Sequence, residues 1–128
     1  MIFLLFAILF ASCSSSNQVE DNLKTDENIQ VDESSGDFRV INLDSFNFGY
    51  SQKEITVKKG EKVKIIMTSS SGTHNFVIDE LSVQSAVINS GGKTEFEFVA
   101  DKIGSFEYYC SIGSHRDRGM VGTIIITE

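Results

Sequence analysis

From residue 37 onward, apolar and polar side chains alternate with a period of two, in short runs separated by turn-forming residues. This period is typical of β-strands that are buried on one face, because successive side chains of a strand point to opposite faces of the sheet. No stretch shows a helical period, so the sequence predicts a small antiparallel or mixed β-sandwich. The first two runs cover residues 54–58 and 62–68, and their inward residues would be Ile55, Val57, Val63, Ile65 and Met67.

Turn signals and further alternating runs predict the remaining strands. The segment between the first two runs, Lys58-Lys-Gly-Glu61, predicts a hairpin turn in which Gly60 adopts a positive φ. The run 93–98 repeats the alternation, with Phe96 and Phe98 pointing inward. Other strands are expected over residues 74–78, 105–110 and 121–127.

Residues 1–11 are all apolar, whereas a membrane-spanning helix needs roughly 20 such residues. The run has the length of a signal-peptide apolar region, and it ends in small residues directly before Cys13. This ending resembles a bacterial lipobox, in which the cysteine is acylated. We expect a lipoprotein signal peptide over 1–12, a lipidated Cys13, and export to a periplasmic or other extracytoplasmic membrane surface. The alternative is an ordinary signal peptide, with Cys13 incidental.

Most of the formal net charge of −7 lies just after this signal. Between Glu20 and Glu33 the charged residues are six acids and Lys24, which contribute −5 and leave −2 for residues 37–128. Polar residues dominate 13–36, which predicts a lipid-anchored flexible linker with an r.m.s. span of roughly 25 Å. A nucleic-acid partner would need a basic face, and no run of Lys or Arg suggests one.

Three potential metal ligands are spaced as Cys110-x4-His115-x4-Met120, and His74 begins another predicted strand. Two imidazoles and a thiolate with a weak axial thioether define a blue-copper site, whereas zinc prefers four strong donors. Cys110 would end one strand and Met120 would begin the next, so the loop between them returns to one point. Each residue alone is more often structural, but the combined spacing predicts a copper site.

An exported chain with two cysteines could form a disulfide instead. A Cys13–Cys110 bridge would tie the signal-peptide boundary to the end of a strand across the linker. We therefore favour a free Cys110 thiolate that serves as a metal ligand.

On these residues, the sequence from 37 to 128 resembles the plastocyanin/azurin family of cupredoxins. The length of its ligand loop is similar to that of auracyanin- and halocyanin-like members. The resemblance implies an all-β, Greek-key β-sandwich that binds one copper ion, which cycles between Cu(I) and Cu(II). It also implies that Asn75 and Ser111 link the ligand-bearing segments by hydrogen bonds and so orient the ligands. The copper ligands of the family map onto His74, Cys110, His115 and Met120.

In the family, the C-terminal histidine ligand is the electron exit, and His115 would play that part here. The surface around His115 would be charged, because the next three residues are Arg116, Asp117 and Arg118. This charge implies electrostatic and salt-sensitive docking. Alternatively, these three are solvated loop residues. Tyr109 would point outward and offers a second exit or docking position, or it serves as a cross-strand packing aromatic.

These features predict an electron carrier, not an enzyme, that shuttles single electrons between protein redox partners at a membrane surface. The alternative is an exported copper-binding or copper-delivery protein without electron transfer. Such carriers usually have exposed sites rich in Met and His, and this chain has two His and three Met. A copper oxidase or nitrite reductase would need further histidine clusters. No small-molecule substrate is expected, because the four ligands leave no open position on the metal.

Overall fold

The computed structural model describes residues 37–128. The predicted signal peptide (1–12), the lipidation site Cys13 and the linker (13–36) lie outside the described residues. Within 37–128, no helix has the length and apolar character needed to cross a lipid bilayer. The strands are β1 Phe38–Phe46, β2 Gly49–Tyr50, β3 Glu54–Lys58, β4 Lys62–Ser69, β5 Val77–Ile78, β6 Val83–Gln84, β7 Lys93–Val99, β8 Gly104–Tyr109 and β9 Val121–Thr127, with a 3-10 turn at Asp79–Leu81.

The strands form two sheets. One has four strands in the order β2-β1-β4-β7, and the other has five in the order β3-β9-β8-β5-β6. The pairs β1–β4 and β3–β9 are parallel, whereas β4–β7 and β8–β9 are antiparallel. This architecture confirms the predicted all-β, Greek-key β-sandwich with mixed sheets.

The predicted hairpin at Lys58–Glu61 is wrong. Strand β3 pairs with β9 in the five-stranded sheet, whereas β4 pairs with β1 and β7 in the other sheet, so this segment crosses between sheets. Gly60 does have the predicted positive φ, at 90°, and its amide donates to the carbonyl of Ala100. The error has a physical cause: alternation determines which face of a strand is buried but not which strand becomes its partner.

The strand predicted over 74–78 is shorter than expected, because β5 contains only Val77 and Ile78. His74 instead forms an isolated bridge with Ile88, in which each amide donates to the other carbonyl at 2.9 Å. The amide of Phe76 donates to the Ser85 hydroxyl rather than to a neighbouring strand. A side-chain acceptor therefore replaces the sheet partner two residues after the histidine.

The core lies between the two sheets. All five inward residues predicted for β3 and β4 are buried, whereas Phe96 and Phe98 of β7 are half-buried because β7 is an edge strand. The buried rings of Phe76, two residues after His74, and of Tyr108, two residues before Cys110, stack with centroids 4.8 Å apart, and Tyr50 packs against Tyr108 at 5.4 Å. This packed aromatic group restricts the movement of the segments that carry the predicted ligands.

Candidate metal centre

The loop that carries three of the predicted ligands is closed at its base by the sheet. Strands β8 and β9 stay in register up to the pair Tyr109 and Val121. The next residues continue the contact, because the Cys110 amide donates to the carbonyl of Met120 at 3.1 Å. Cys110 and Met120 therefore enter and leave the loop side by side, as their spacing predicts.

Backbone hydrogen bonds within the loop turn His115 back toward Cys110. The His115 amide donates to the carbonyl of Ile112 at 3.0 Å, and the His115 carbonyl accepts from the amide of Met120 at 3.0 Å. These turns leave Nδ1 of His115 3.5 Å from Sγ of Cys110. Met120 is fully buried.

His74 reaches the same thiol from a different part of the sandwich. Its Nδ1 lies 3.8 Å from Sγ of Cys110, and its Nε2 lies 2.7 Å from the carbonyl oxygen of Ser71. Because a carbonyl can only accept, Nε2 carries the proton and Nδ1 presents its lone pair toward the thiol. Both His74 and Cys110 are fully buried.

The donor atoms have the separation that one metal ion requires. Bonds of about 2.0 Å to nitrogen and about 2.3 Å to sulfur, roughly 120° apart, place the two donors about 3.8 Å from each other. The ligand atoms of His74, Cys110 and His115 all lie within 4.8 Å of one another. Cys110 is a free cysteine, so its sulfur is available as a thiolate. Two imidazoles, one thiolate and a nearby thioether are the donor set that copper favours.

Asn75 and Ser111 connect the two ligand-bearing segments. The Asn75 side-chain amide nitrogen donates to the Ser111 hydroxyl, and the Ser111 backbone amide donates to the Asn75 carboxamide oxygen, both at 2.8 Å. The Asn75 backbone carbonyl accepts from the buried Tyr50 hydroxyl at 2.5 Å. Asn75 follows His74 in the chain, and Ser111 follows Cys110. These hydrogen bonds therefore restrict where the two ligands can lie.

Two features of the site carry no sequence signal. The ring of Phe48 packs edge-on against His115 with centroids 4.9 Å apart, although 67 positions separate the two residues in the chain. Gly72 has a φ of 85°, and a Cβ atom there would overlap Asn47 Oδ1 and lie 2.7 Å from Nε2 of His74. The contact with His74 therefore requires glycine at this position.

His115 is the partly exposed member of the ligand set, and the predicted docking residues Arg116 and Arg118 follow it in the loop. Partial burial lowers the pKa of His115, and the positive fields of His74 and Arg118 lower it further. A lowered pKa keeps the imidazole neutral near neutral pH, which is the form that binds a metal. Arg118 also covers the ring of Phe48, with its guanidinium 4.6 Å from the centroid.

Tyr109 lies on the outer surface but is not freely exposed. Its hydroxyl donates to the carboxylate of Asp79 at 3.0 Å, and the guanidinium of Arg116 lies 3.9 Å from its ring centroid. Arg116 also forms an ion pair with Glu107. Desolvation raises the pKa of Tyr109, and the hydrogen bond to Asp79 raises it further. The outward orientation expected for Tyr109 is present, with Arg116 covering the ring.

A family model for the cupredoxin-like domain matches residues 1–126. The chain belongs to this family. Sequence comparison with the curated proteins finds no significant match. Among solved structures, similar ones include a dithionite-reduced auracyanin from Roseiflexus castenholzii, with 21% identity and a TM-score of 0.64 over 73% of this chain and 100% of that chain. Auracyanin A, a blue copper protein from Chloroflexus aurantiacus, has 18% identity and a TM-score of 0.62 over 70% and 98%.

The cupredoxin domain is also similar to the blue copper oxidase of Nitrosomonas europaea, with 19% identity and a TM-score of 0.63. That match covers 70% of this chain but 38% of the oxidase chain. Within residues 37–128, one group of clustered metal-binding side chains is present, formed by His74, Cys110 and His115. Copper is the cofactor of the domain, and these three residues together with Met120 would hold it.

Proposed function

We propose that this cupredoxin is a mononuclear blue-copper protein that shuttles single electrons between protein redox partners at a membrane surface. The observation that carries the proposal is the buried cluster in which the Nδ1 atoms of His74 and His115 lie 3.8 and 3.5 Å from Sγ of Cys110. When bound, copper supplies a one-electron couple between Cu(I) and Cu(II). The role of the protein is to hold the same ligand positions in both states.

Several contacts of the chain support that role. The Ser71 carbonyl fixes the ring of His74, and the Asn75–Ser111 hydrogen bonds connect the segments that carry His74 and Cys110. The stacked rings of Phe76 and Tyr108, each two residues from a ligand, pack in the core. A ligand set restrained from several directions moves little when its charge changes, and little movement favours fast electron transfer.

We propose that electrons leave through the exposed edge of His115. His74, Cys110 and Met120 are fully buried, so His115 is the ligand that a partner can approach. The half-buried side chain of Ile112 lies in the same loop, and the guanidinium of Arg118 lies over the neighbouring ring of Phe48. This surface suits a partner that combines apolar and acidic contact groups. The Tyr109 position is the weaker candidate, because Arg116 and Asp79 already occupy its ring face and its hydroxyl.

We further propose that the protein is exported and tethered to a membrane through an acylated Cys13. The support is the apolar run 1–11 with small residues before Cys13, followed by the polar, acidic stretch 13–36. A tether of this composition would let the domain reorient between donors and acceptors on the same membrane face. Mass spectrometry of the membrane fraction tests this part, and an unmodified Cys13 in the mature protein would contradict it.

Copper delivery without electron transfer is the second candidate, and the burial of the ligands argues against it. Transfer of copper to another protein proceeds by ligand exchange, which requires donors that the acceptor can reach. His74, Cys110 and Met120 have no exposed surface. We therefore expect slow release of copper to a competing chelator.

The test is to load the purified protein with Cu(II) and to record visible absorption and EPR spectra for the wild type and for Cys110→Ser. An intense thiolate-to-copper charge-transfer band with compact copper hyperfine splitting, lost in the variant, is the expected result. Electron self-exchange measured by NMR line broadening then separates a carrier from a delivery protein. A wild type that stays colourless with Cu(II) would refute the proposal. Loss of copper to a chelator at a rate above that of electron self-exchange would refute it as well.

A further inference from the structure

We propose that Arg116 and Arg118 are positioning residues that clamp the His115 loop by lying over the rings of Tyr109 and Phe48. The role assigned to His115 as a copper ligand rests on the proposed function. The clamp itself is a property of the protein chain and can be measured without metal.

The loop has little intrinsic stiffness. The chain contains no proline, and the glycines near the two ends of the loop, Gly113 and Gly119, have φ values of 50° and 90°. A Cβ atom at either position would find no other atom within 4 Å, so neither residue is packed against the domain. Glycines in such open positions give the unrestrained backbone high conformational entropy.

The backbone hydrogen bonds between Ile112 and Met120 join the loop to itself rather than to the sheets. Near its base the loop is attached by the bond between Cys110 and Met120 and by the Asn75–Ser111 pair. The part beyond His115 needs other attachments if the imidazole is to stay in place. The two arginines provide them.

Arg116 attaches the loop to the five-stranded sheet. Its guanidinium lies 3.9 Å from the ring centroid of Tyr109 and forms an ion pair with Glu107, and both of these residues belong to β8. Tyr109 is held in turn by its hydrogen bonds to Asp79. The arginine is therefore held both by a ring face and by a carboxylate.

Arg118 attaches the loop to the other sheet. Its guanidinium lies 4.6 Å from the ring centroid of Phe48, which lies in the turn between β1 and β2. The same ring packs edge-on against His115. The guanidinium thus covers the face of the benzyl ring while the ring packs edge-on against the imidazole, and these contacts restrict rotation of the ligand histidine.

A clamp and a docking charge predict different responses to lysine. Lysine keeps the positive charge of arginine and can still pair with a carboxylate, but it lacks the planar guanidinium that stacks on a ring and pairs with a carboxylate through two parallel hydrogen bonds. If Arg116 and Arg118 served only to attract a partner, Lys variants would behave as the wild type. If they act as clamps through the planar guanidinium, both the Lys and the Gln variants should be impaired.

The experiment is amide hydrogen exchange on the metal-free protein, followed at Arg118, Gly119 and Met120, whose amides close the loop. We expect Arg116→Lys, Arg116→Gln, Arg118→Lys and Arg118→Gln each to accelerate exchange about two- to five-fold. Phe48→Leu and Tyr109→Leu, which remove the rings, should have effects of the same size. Arg39→Gln is the control, because it removes an arginine ion pair with Glu61 that is remote in sequence from the loop.

The copper-loaded variants provide a second readout. A looser His115 should broaden the distribution of copper hyperfine couplings in the EPR spectra of the Lys and Gln variants alike. Unchanged exchange in all four variants, or full rescue by lysine, would overturn the clamp. A wild type that binds copper without a thiolate charge-transfer band would instead reject the proposed function, and the exchange data would still decide the clamp.

Discussion

Asn75 and Ser111 exchange two hydrogen bonds of equal length, 2.8 Å, across 36 positions of sequence. One bond uses the Ser111 hydroxyl and the other its backbone amide, so the pair restrains both the side chain and the main chain next to Cys110. The loop and the segment carrying His74 are connected there without any metal. The ligand geometry is therefore largely preorganised in the apoprotein.

Replacing Asn75 with alanine should weaken both folding and copper binding. The variant removes both hydrogen bonds of a buried side chain, so we expect a loss of about 1–3 kcal/mol in the free energy of unfolding. Copper affinity should fall roughly 10- to 100-fold, because the ligands lose an orienting contact. Urea unfolding and chelator competition measure the two effects. Asn42→Ala, at an exposed position of β1, is the matched control and should change neither quantity.

Gly72→Ala and Gly60→Ala should differ in cost although both glycines have a φ near 90°. At Gly60 a Cβ atom meets nothing within 4 Å, so only backbone strain of about 1–2 kcal/mol is expected. At Gly72 the new atom would collide with Asn47 and His74, which raises the cost to roughly 2–5 kcal/mol. Thermal unfolding of both variants tests the difference, and equal destabilisation would contradict the close approach of Gly72 to His74.

The three tyrosines should resist ionisation in the folded protein. Burial raises the pKa of Tyr108 to about 12 and also raises the pKa of Tyr50, and desolvation raises the pKa of Tyr109. Unfolded tyrosine titrates near 10, so between pH 10 and 12 the unfolded chain binds fewer protons than the native one. The contribution of these tyrosines to the free energy of unfolding is therefore fully present below pH 10 and is lost as the pH rises through this window.

Phenolate absorbance follows this titration directly. The native protein should show little phenolate at pH 10, whereas the urea-unfolded protein should be about half ionised there. Between pH 10 and 12, the melting temperature of Tyr108→Phe should fall less steeply than that of the wild type. A native titration curve that matches the unfolded one would contradict the burial of these hydroxyls.

Met120→Leu should raise the reduction potential without abolishing the copper site. The substitution nearly conserves volume, so we expect less than about 1.5 kcal/mol of destabilisation. Replacing the thioether with hydrocarbon removes a weak donor and makes the site more apolar, which disfavours the more highly charged Cu(II). Cyclic voltammetry measures the potential. Met67→Leu provides the comparison, since Met67 is equally buried but belongs to β4 and not to the ligand loop. A shift of equal size there would argue against Met120 as a copper ligand.

The sequence predicts local features better than distant ones. Alternation places Ile55 and Val57 inside correctly because it depends only on the strand that carries them. It misassigns the connection at Lys58–Glu61, because the partners of β3 and β4 are chosen by long-range pairing. The signal peptide, the lipid anchor and the linker remain predictions.

The same distinction applies to the site. Cys110, His115 and Met120 are predictable because one loop of regular spacing carries them, and the chemistry of their side chains is specific. The contact between Phe48 and His115 depends on the packing of the whole sandwich. An aromatic residue in a turn has many equally plausible neighbours, so its role emerges only from the folded chain.

The pairing of β8 with β9 continues through the bond between Cys110 and Met120 at the mouth of the ligand loop. Insertions or deletions within the loop can therefore leave the pairing of β8 and β9 unchanged. Cys110 would keep its place at the end of β8, while the imidazole of His115 would move with the length of the loop. During divergence, the redox properties of such a domain can vary independently of its folding.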